Sequence, residues 1–343
     1  MTEMIMGMIV VFLALTALVG CRYTGDAKAF MGRDYTQALK GLSCLIVVMV
    51  HFPVEYGNAI QDLIGSFAYI CVTFFFLCSG YGMRYSLDCK KGYLQHFLWN
   101  RVCALLIPVC VFNVGASLIK LGYEGAFHSS TLEWLLSVSN WTKVLLLYCV
   151  CFFVVYRFIF NKQENRFLGD IAVCLFVLLT SMITKLTDFK VTYLWPTECL
   201  GFAYGIMLYR YKERLIAFLS RRTMIKTAAF LALSLACGVL YLRTKRVFFF
   251  GDYIIKVLLC LVMLMFLFSA TLRLRISNKA NQFLGKISYE VYLVHSAVIE
   301  VLLPLLPQWG SGVMILIAYI VTIVAATAMN AVGKRLVSLA VRA

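Results

Sequence analysis

Charge is scarce in this sequence. Only 14% of its 343 residues are Asp, Glu, Lys or Arg, against 62% hydrophobic, and the mean hydropathy is +0.86. That balance excludes a soluble domain, which must present polar surface to water over much of its area. Acid is the scarcer sign, with 16 Asp and Glu against 32 Lys and Arg. The four histidines are scattered, and neither His-Glu-x-x-His nor a Cys-x-x-Cys set with metal-like partners occurs, so no metal is expected. No Walker or Gly-x-Gly-x-x-Gly element occurs, which argues against nucleotide hydrolysis. Internal repeats, low-complexity segments and any stretch long enough for a second folded domain are also missing.

What the sequence has instead is apolar runs of membrane-spanning length, about 20 residues each. They fall at 4–20, 40–57, 62–83, 98–121, 141–160, 168–185, 193–209, 225–242, 254–272, 287–306 and 311–332. The runs are continuous rather than alternating, so helices rather than barrel strands are expected in lipid. The fold class is therefore all-α, a polytopic transmembrane helix bundle with membrane lipids around it. The first run resembles a signal peptide ending at Leu18-Val19-Gly20-Cys21, but it lacks a basic flank and carries Glu3. It is expected to be a retained, extra N-terminal helix. The 13 cysteines lie mostly inside apolar runs and are expected to be small packing residues.

The excess of positive charge is unevenly placed. The segments 21–40, 84–101, 157–167, 210–226, 273–286 and the C-terminus hold 24 of the 32 Lys and Arg, and the alternate segments hold eight. By the positive-inside rule the first set is cytoplasmic, the N-terminus outside and the C-terminus inside. Short basic loops between apolar runs also make nucleic acid an unexpected partner. The loop at 243–256, with Arg243, Lys245, Arg246 and Lys256, breaks the pattern. Contact with an anionic substrate is one account of it.

The second run carries chemistry. Lys40 and His51 are eleven residues apart. On a helix that spacing returns to within about 20° of the same azimuth, about 16 Å farther along the axis. The cation is expected at the cytoplasmic end and the imidazole near the middle of the bilayer. A histidine at that depth should face the bundle interior or a wet cavity. It could serve as general base for a hydroxyl nucleophile, or simply bond a neighbouring helix. The spacing also approximates an extended pantetheine arm, so a phosphate held at Lys40 would place a thioester beside His51.

The segment Lys40 to His51 resembles the first core helix of the acyltransferase-3 family of bacterial membrane proteins, in which a basic residue, usually Arg, precedes a histidine at this spacing. Phe74-Phe75-Phe76-Leu77-Cys78-Ser79-Gly80-Tyr81 is similar to the family's aromatic run ending in Ser-Gly. Arg101 with Leu105-Leu106-Ile107-Pro108 resembles its basic, then Ile-Pro, third core helix. The segment from Leu284 to His295 resembles its penultimate-helix motif. The resemblance covers roughly residues 33–332 and leaves an extra helix and loop at 1–32 before an acyltransferase-like domain at 33–343, with ten core helices. Two departures stand out: Lys40 replaces Arg, which loses a bidentate phosphate fork, and Ala104 stands where a second basic residue is common.

The resemblance implies a transferase of the bacterial cytoplasmic membrane. It would take an acyl group, usually acetyl, from cytoplasmic acyl-CoA to a hydroxyl or amine of a cell-envelope glycan or lipid-linked glycan. The alternative is a transporter or exporter of a small anionic metabolite, built on the same buried polar residues. For the transferase, His51 is the catalytic base or a transient acyl carrier, with Glu55 one turn on to orient it and His295 in the same cavity. Lys40, Arg101, Arg84 and Ser79 are the candidates for holding acyl-CoA, although Ser79-Gly80 also suits close helix packing. Tyr289, Tyr292 and Glu198 are the candidates for the acceptor. Glu300 and Asn140 lie near outer helix ends, where interfacial polar residues also occur without function.

Overall fold

The computed structural model describes residues 2–52, 59–124, 133, 135–187, 196–276, 278–305 and 311–342. The helices are α1 (Thr2–Leu18), α2 (Arg33–Val50), α3 (Ala59–Phe67), α4 (Tyr69–Cys89), α5 (Phe97–Glu124) and α6 (Asn140–Val154). They continue with α7 (Arg166–Leu186), α8 (Gly201–Ser220), α9 (Thr223–Thr244), α10 (Lys256–Thr271), α11 (Lys279–Leu305) and α12 (Ser311–Arg342). A π-helical turn extends α6 through Val155–Ile159, and another, Phe250–Ile255, leads into α10.

Among the described residues, seven helical segments are long and apolar enough to cross a membrane. They are Ala59–Cys89, Phe97–Ile119, Asn140–Ile159, Gln163–Leu186, Thr223–Thr244, Phe250–Thr271 and Val313–Val341. The helices α2, α8 and α11, at 18, 20 and 27 residues, also have spanning length, but polar residues such as Lys40, Arg210 and Glu290 interrupt them. Leucines and valines of the outer helices, among them Leu118, Leu179, Leu235 and Val324, point outward. In water such a surface would be a liability, whereas against hydrocarbon it is the expected lining.

The helices overrun the apolar windows. The second was expected at 40–57 and instead starts at Arg33, because Asp34, Thr36 and Gln37 are polar yet helix-compatible. It ends with His51 as its C-cap, two residues before Pro53, which steers Phe52 away from helical geometry. Similarly α8 runs to Ser220, α11 begins at Lys279 and α12 reaches Arg342, so several basic segments are extensions of helices rather than loops.

Helix α1 is tied to the rest at its end. Asn278 Nδ2 donates to the carbonyls of Thr16 (2.6 Å) and Val19 (2.9 Å), and Asn281 Nδ2 donates to Thr16 (2.8 Å). These amides satisfy carbonyls that a helix C-terminus leaves without partners. Just beyond, β1 (Arg22–Tyr23) pairs antiparallel with β2 (Leu274–Arg275).

The basic segment 243–256 takes part in two ion pairs. Lys256 Nζ binds Glu198 Oε1 at 2.7 Å, and Lys185 pairs with Asp252.

Candidate active site

Two parallel helices frame the site. α2 and α11 approach so closely at Gly41 and Gly285 that a Cβ on Gly285 would drive into the Gln37 carbonyl, and one on Gly41 would sit 2.5 Å from the Asn281 carbonyl oxygen. Ten residues further along each chain stand His51 and His295. Helices that start in contact and run parallel stay in contact, and the two imidazoles meet. Their ring centroids are 4.6 Å apart and their planes cross at 79°. Cys44, Leu45, Val48 and Met49 of α2 pack with Ile287, Val291 and Val294 of α11 into the apolar wall beneath them.

Backbone carbonyls orient both rings. His51 Nδ1 lies 2.7 Å from the Val47 carbonyl oxygen, and His295 Nδ1 lies 3.1 Å from that of Val291. A carbonyl oxygen only accepts, so each neutral ring carries its proton on Nδ1 and presents a bare Nε2. His295 Nε2 accepts from Ser296 Oγ at 3.3 Å. His51, at the end of its helix, is exposed, while His295 is buried. Glu55, expected to orient His51, lies outside the described residues. His51 also sits past the end of α2 with Lys40 two turns inside it, rather than at mid-helix and helix start.

The pair opens into a cavity of about 540 Å³. Its lining joins α2 at His51, α5 at Val109, Phe112 and Asn113, the stretch from Ser137 to Asn140, and α11 from Tyr292 to Glu300. Its charged residues besides the histidines are Glu133 and Glu300. Asn113 is buried, and its Nδ2 donates to the carbonyls of Leu135 (3.1 Å) and Ser137 (2.7 Å), pinning that stretch over the cavity. Asn113, Glu133 and Ser296 were not among the sequence candidates. A polar residue in the apolar α5 run was the available signal for Asn113. Ser296, next to His295 in sequence, was the signal on α11.

The other candidates separate. Tyr292 lines the cavity, 5.9 Å from His295 between ring centroids. Tyr289 is a strut: its hydroxyl shares a 2.9 Å bond with Thr142 and donates to the Leu105 carbonyl at 2.8 Å. Lys40 is half-buried, with the Cys44 and Cys78 thiols in electrostatic range and no carboxylate in ion-pair contact among the described residues. Arg101 Nη2 donates to the Tyr93 hydroxyl at 2.9 Å. Ser79 Oγ donates to the Phe75 carbonyl of its own helix, and neighbouring Gly80 meets the Phe202 backbone of α8, the arrangement that close packing requires.

Arg84 and Glu198 are both engaged by other side chains. Arg84 is buried and already paired, with Nε donating to Asp170 at 2.6 Å and Nη1 2.7 Å from Asp88. Asp170 also receives Tyr156 and Arg210, and Asp88 receives Arg166 and Tyr209. The guanidinium is thus committed to carboxylates that lock α4, α7 and α8 together. Glu198 is buried, bonded to Thr197 and Lys256, and is not among the residues lining the histidine cavity.

A polytopic bundle whose two histidines, one exposed and one buried, meet at a cavity defines a membrane protein with an internal site. The acyltransferase-3 family, described as an acyltransferase domain, matches residues 33–331, and the chain belongs to that family. It is a membrane acyltransferase by that membership, with α1 preceding the matched region. No curated protein and no solved structure matches the chain.

Proposed function

We propose that the protein transfers an acyl group, acetyl in the usual case, from cytoplasmic acyl-CoA to a hydroxyl or amine of a cell-envelope glycan. The carrying observation is His51, exposed at a cavity wall with Nδ1 fixed on the Val47 carbonyl and Nε2 bare. In the proposed step, Nε2 takes the acceptor's proton as the acceptor oxygen attacks the thioester carbonyl. The new C–O bond forms, the C–S bond breaks, and the thiolate recovers the proton from the imidazolium to leave as the CoA thiol. His295 holds the His51 ring in place, and Tyr292 and Asn113 shape the acceptor space.

Lys40 lies eleven residues before His51, about 16 Å along the helix. The Lys and Arg distribution supports a cytoplasmic Lys40 end and an outer His51 end in a bacterial cytoplasmic membrane. With Glu133 and Glu300 as its carboxylates, the cavity favours a neutral, hydroxyl-rich acceptor over an anionic one. That preference, with the family, favours acyl transfer over export of an anionic metabolite. The test is mass analysis of envelope glycans from cells with and without the protein. One species losing the mass of an acetyl group when the protein is absent supports the reading; unchanged glycans and lipids would refute it.

A further inference from the structure

A second cavity, about 430 Å³, lies at the basic end of the bundle. It forms between the turn that follows α4 and the segments joining α6 to α7. Lys90, Lys91, Tyr93, Arg157 and Arg166 line it, with Asp88 as its one carboxylate. Asp88 is saturated, since it holds Arg166, Arg84 and the Tyr209 hydroxyl. Lys90, Lys91 and Arg157 have no carboxylate in ion-pair contact among the described residues. Three uncompensated cations around one concavity form a site for a multiply charged anion.

The turn is a built one. Gly92 adopts φ +67°, and the backbone N–H groups of Tyr93 and Gln95 donate to the carbonyls of Lys90 (3.3 Å) and Gly92 (2.9 Å). The turn fixes the backbone from which Lys90, Lys91 and Tyr93 project. The Tyr93 hydroxyl accepts from Arg101, which connects this cavity to the first turns of α5.

Helix α5 then measures the distance to the histidines. Arg101 stands by the basic cavity, and Val109 and Asn113 line the histidine cavity. Eight to twelve helical residues span about 12–18 Å. The same length separates Lys40 from His51 on α2, so two helices place a cationic end and a catalytic end at one spacing.

Resting on the acyl-CoA reading above, we infer that the basic cavity holds the phosphorylated nucleotide end of the donor. Lys90, Lys91 and Arg157 contact its phosphates, and the acyl-bearing arm extends along α5 toward His51. The cations outside Arg84 are the anchor, because Arg84 is spent on Asp170 and Asp88.

The experiment uses the full chain purified in detergent, and again in nanodiscs with and without phosphatidylglycerol. Binding of coenzyme A and of adenosine 3′,5′-bisphosphate is measured for wild type and for the K90A/K91A/R157A triple variant. All three side chains are exposed, and a size-exclusion profile and thermal melt check that the variant folds. The expected result is wild-type binding of both ligands, with coenzyme A affinity at least about thirty-fold weaker in the variant and the bisphosphate no longer bound. Wild-type affinities in the folded variant would overturn the site while leaving the donor intact. Absence of coenzyme A binding by wild type would overturn both. Loss of phosphatidylglycerol retention with unchanged nucleotide binding would reassign the cations to the lipid surface and overturn the site.

Discussion

His51 and His295 stand edge to face at 4.6 Å, one at the end of α2 and the other buried within α11. An aromatic edge contact of this kind contributes about 0.5–1.5 kcal/mol beyond its buried area. With the Val47 carbonyl, it limits the His51 ring to one plane. His295 is therefore a positioning residue as well as part of the cavity wall. His295→Ala should lower turnover about ten- to a hundred-fold, whereas His295→Phe, which keeps a ring edge, should retain more of it. Steady-state kinetics of the two variants checks the order. Equal loss in both would mean that His295 acts through its nitrogens.

The glycine contact sets the histidine contact. Gly285→Ala forces a methyl toward the Gln37 carbonyl and must push α2 from α11. Overpacking of this kind costs about 1–3 kcal/mol. A lower melting temperature in detergent together with reduced turnover is expected. Gly82, whose Cβ would meet nothing within 4 Å, is the control: Gly82→Ala should change neither.

Removing a partner from the Arg84–Asp170 pair leaves a buried charge uncompensated, at a cost of about 3–5 kcal/mol. Arg84→Met and Asp170→Asn should both show sharply lower folded yield and melting temperature. The protein that does fold should keep its KM for the acyl donor. A raised donor KM at unchanged stability would instead return Arg84 to the donor site.

Lys40 predicts the reverse. It is half-buried with no paired carboxylate among the described residues, so Lys40→Met removes a free cation without orphaning an anion. Loss of a charge-assisted hydrogen bond of about 1.5–3 kcal/mol corresponds to a rise in donor KM of at least about tenfold. The melting temperature should hold, and Lys40→Arg should restore binding. Kinetics against donor concentration separates these outcomes.

The Lys40–His51 spacing could be read from the sequence because both residues lie on one helix, where residue number converts directly into angle and rise. The meeting of His51 with His295 in one cavity is implied in the sequence only by the family resemblance. What fixes it is the close approach of Gly41 and Gly285, which have no local signature. Arg84 illustrates the limit: the sequence shows only a charge beside an apolar run, whereas its partner Asp170 sits on α7 and is shared with Arg210 of α8. Glu198 is a second case, since its partner Lys256 reaches it from α10. Helix ends run past the apolar windows where polar residues continue a helix, as at Arg33 and Ser220. Hydropathy marks where lipid can be, and a helix is free to extend beyond it.

The most direct test is turnover by a His51→Ala protein that inserts, folds and melts like wild type. With acyl-CoA and an envelope extract as acceptor, transfer should fall by at least about a hundred-fold, the scale of a lost general base. Transfer at the wild-type rate by the folded variant would contradict the assignment of His51 as the group that takes the acceptor's proton.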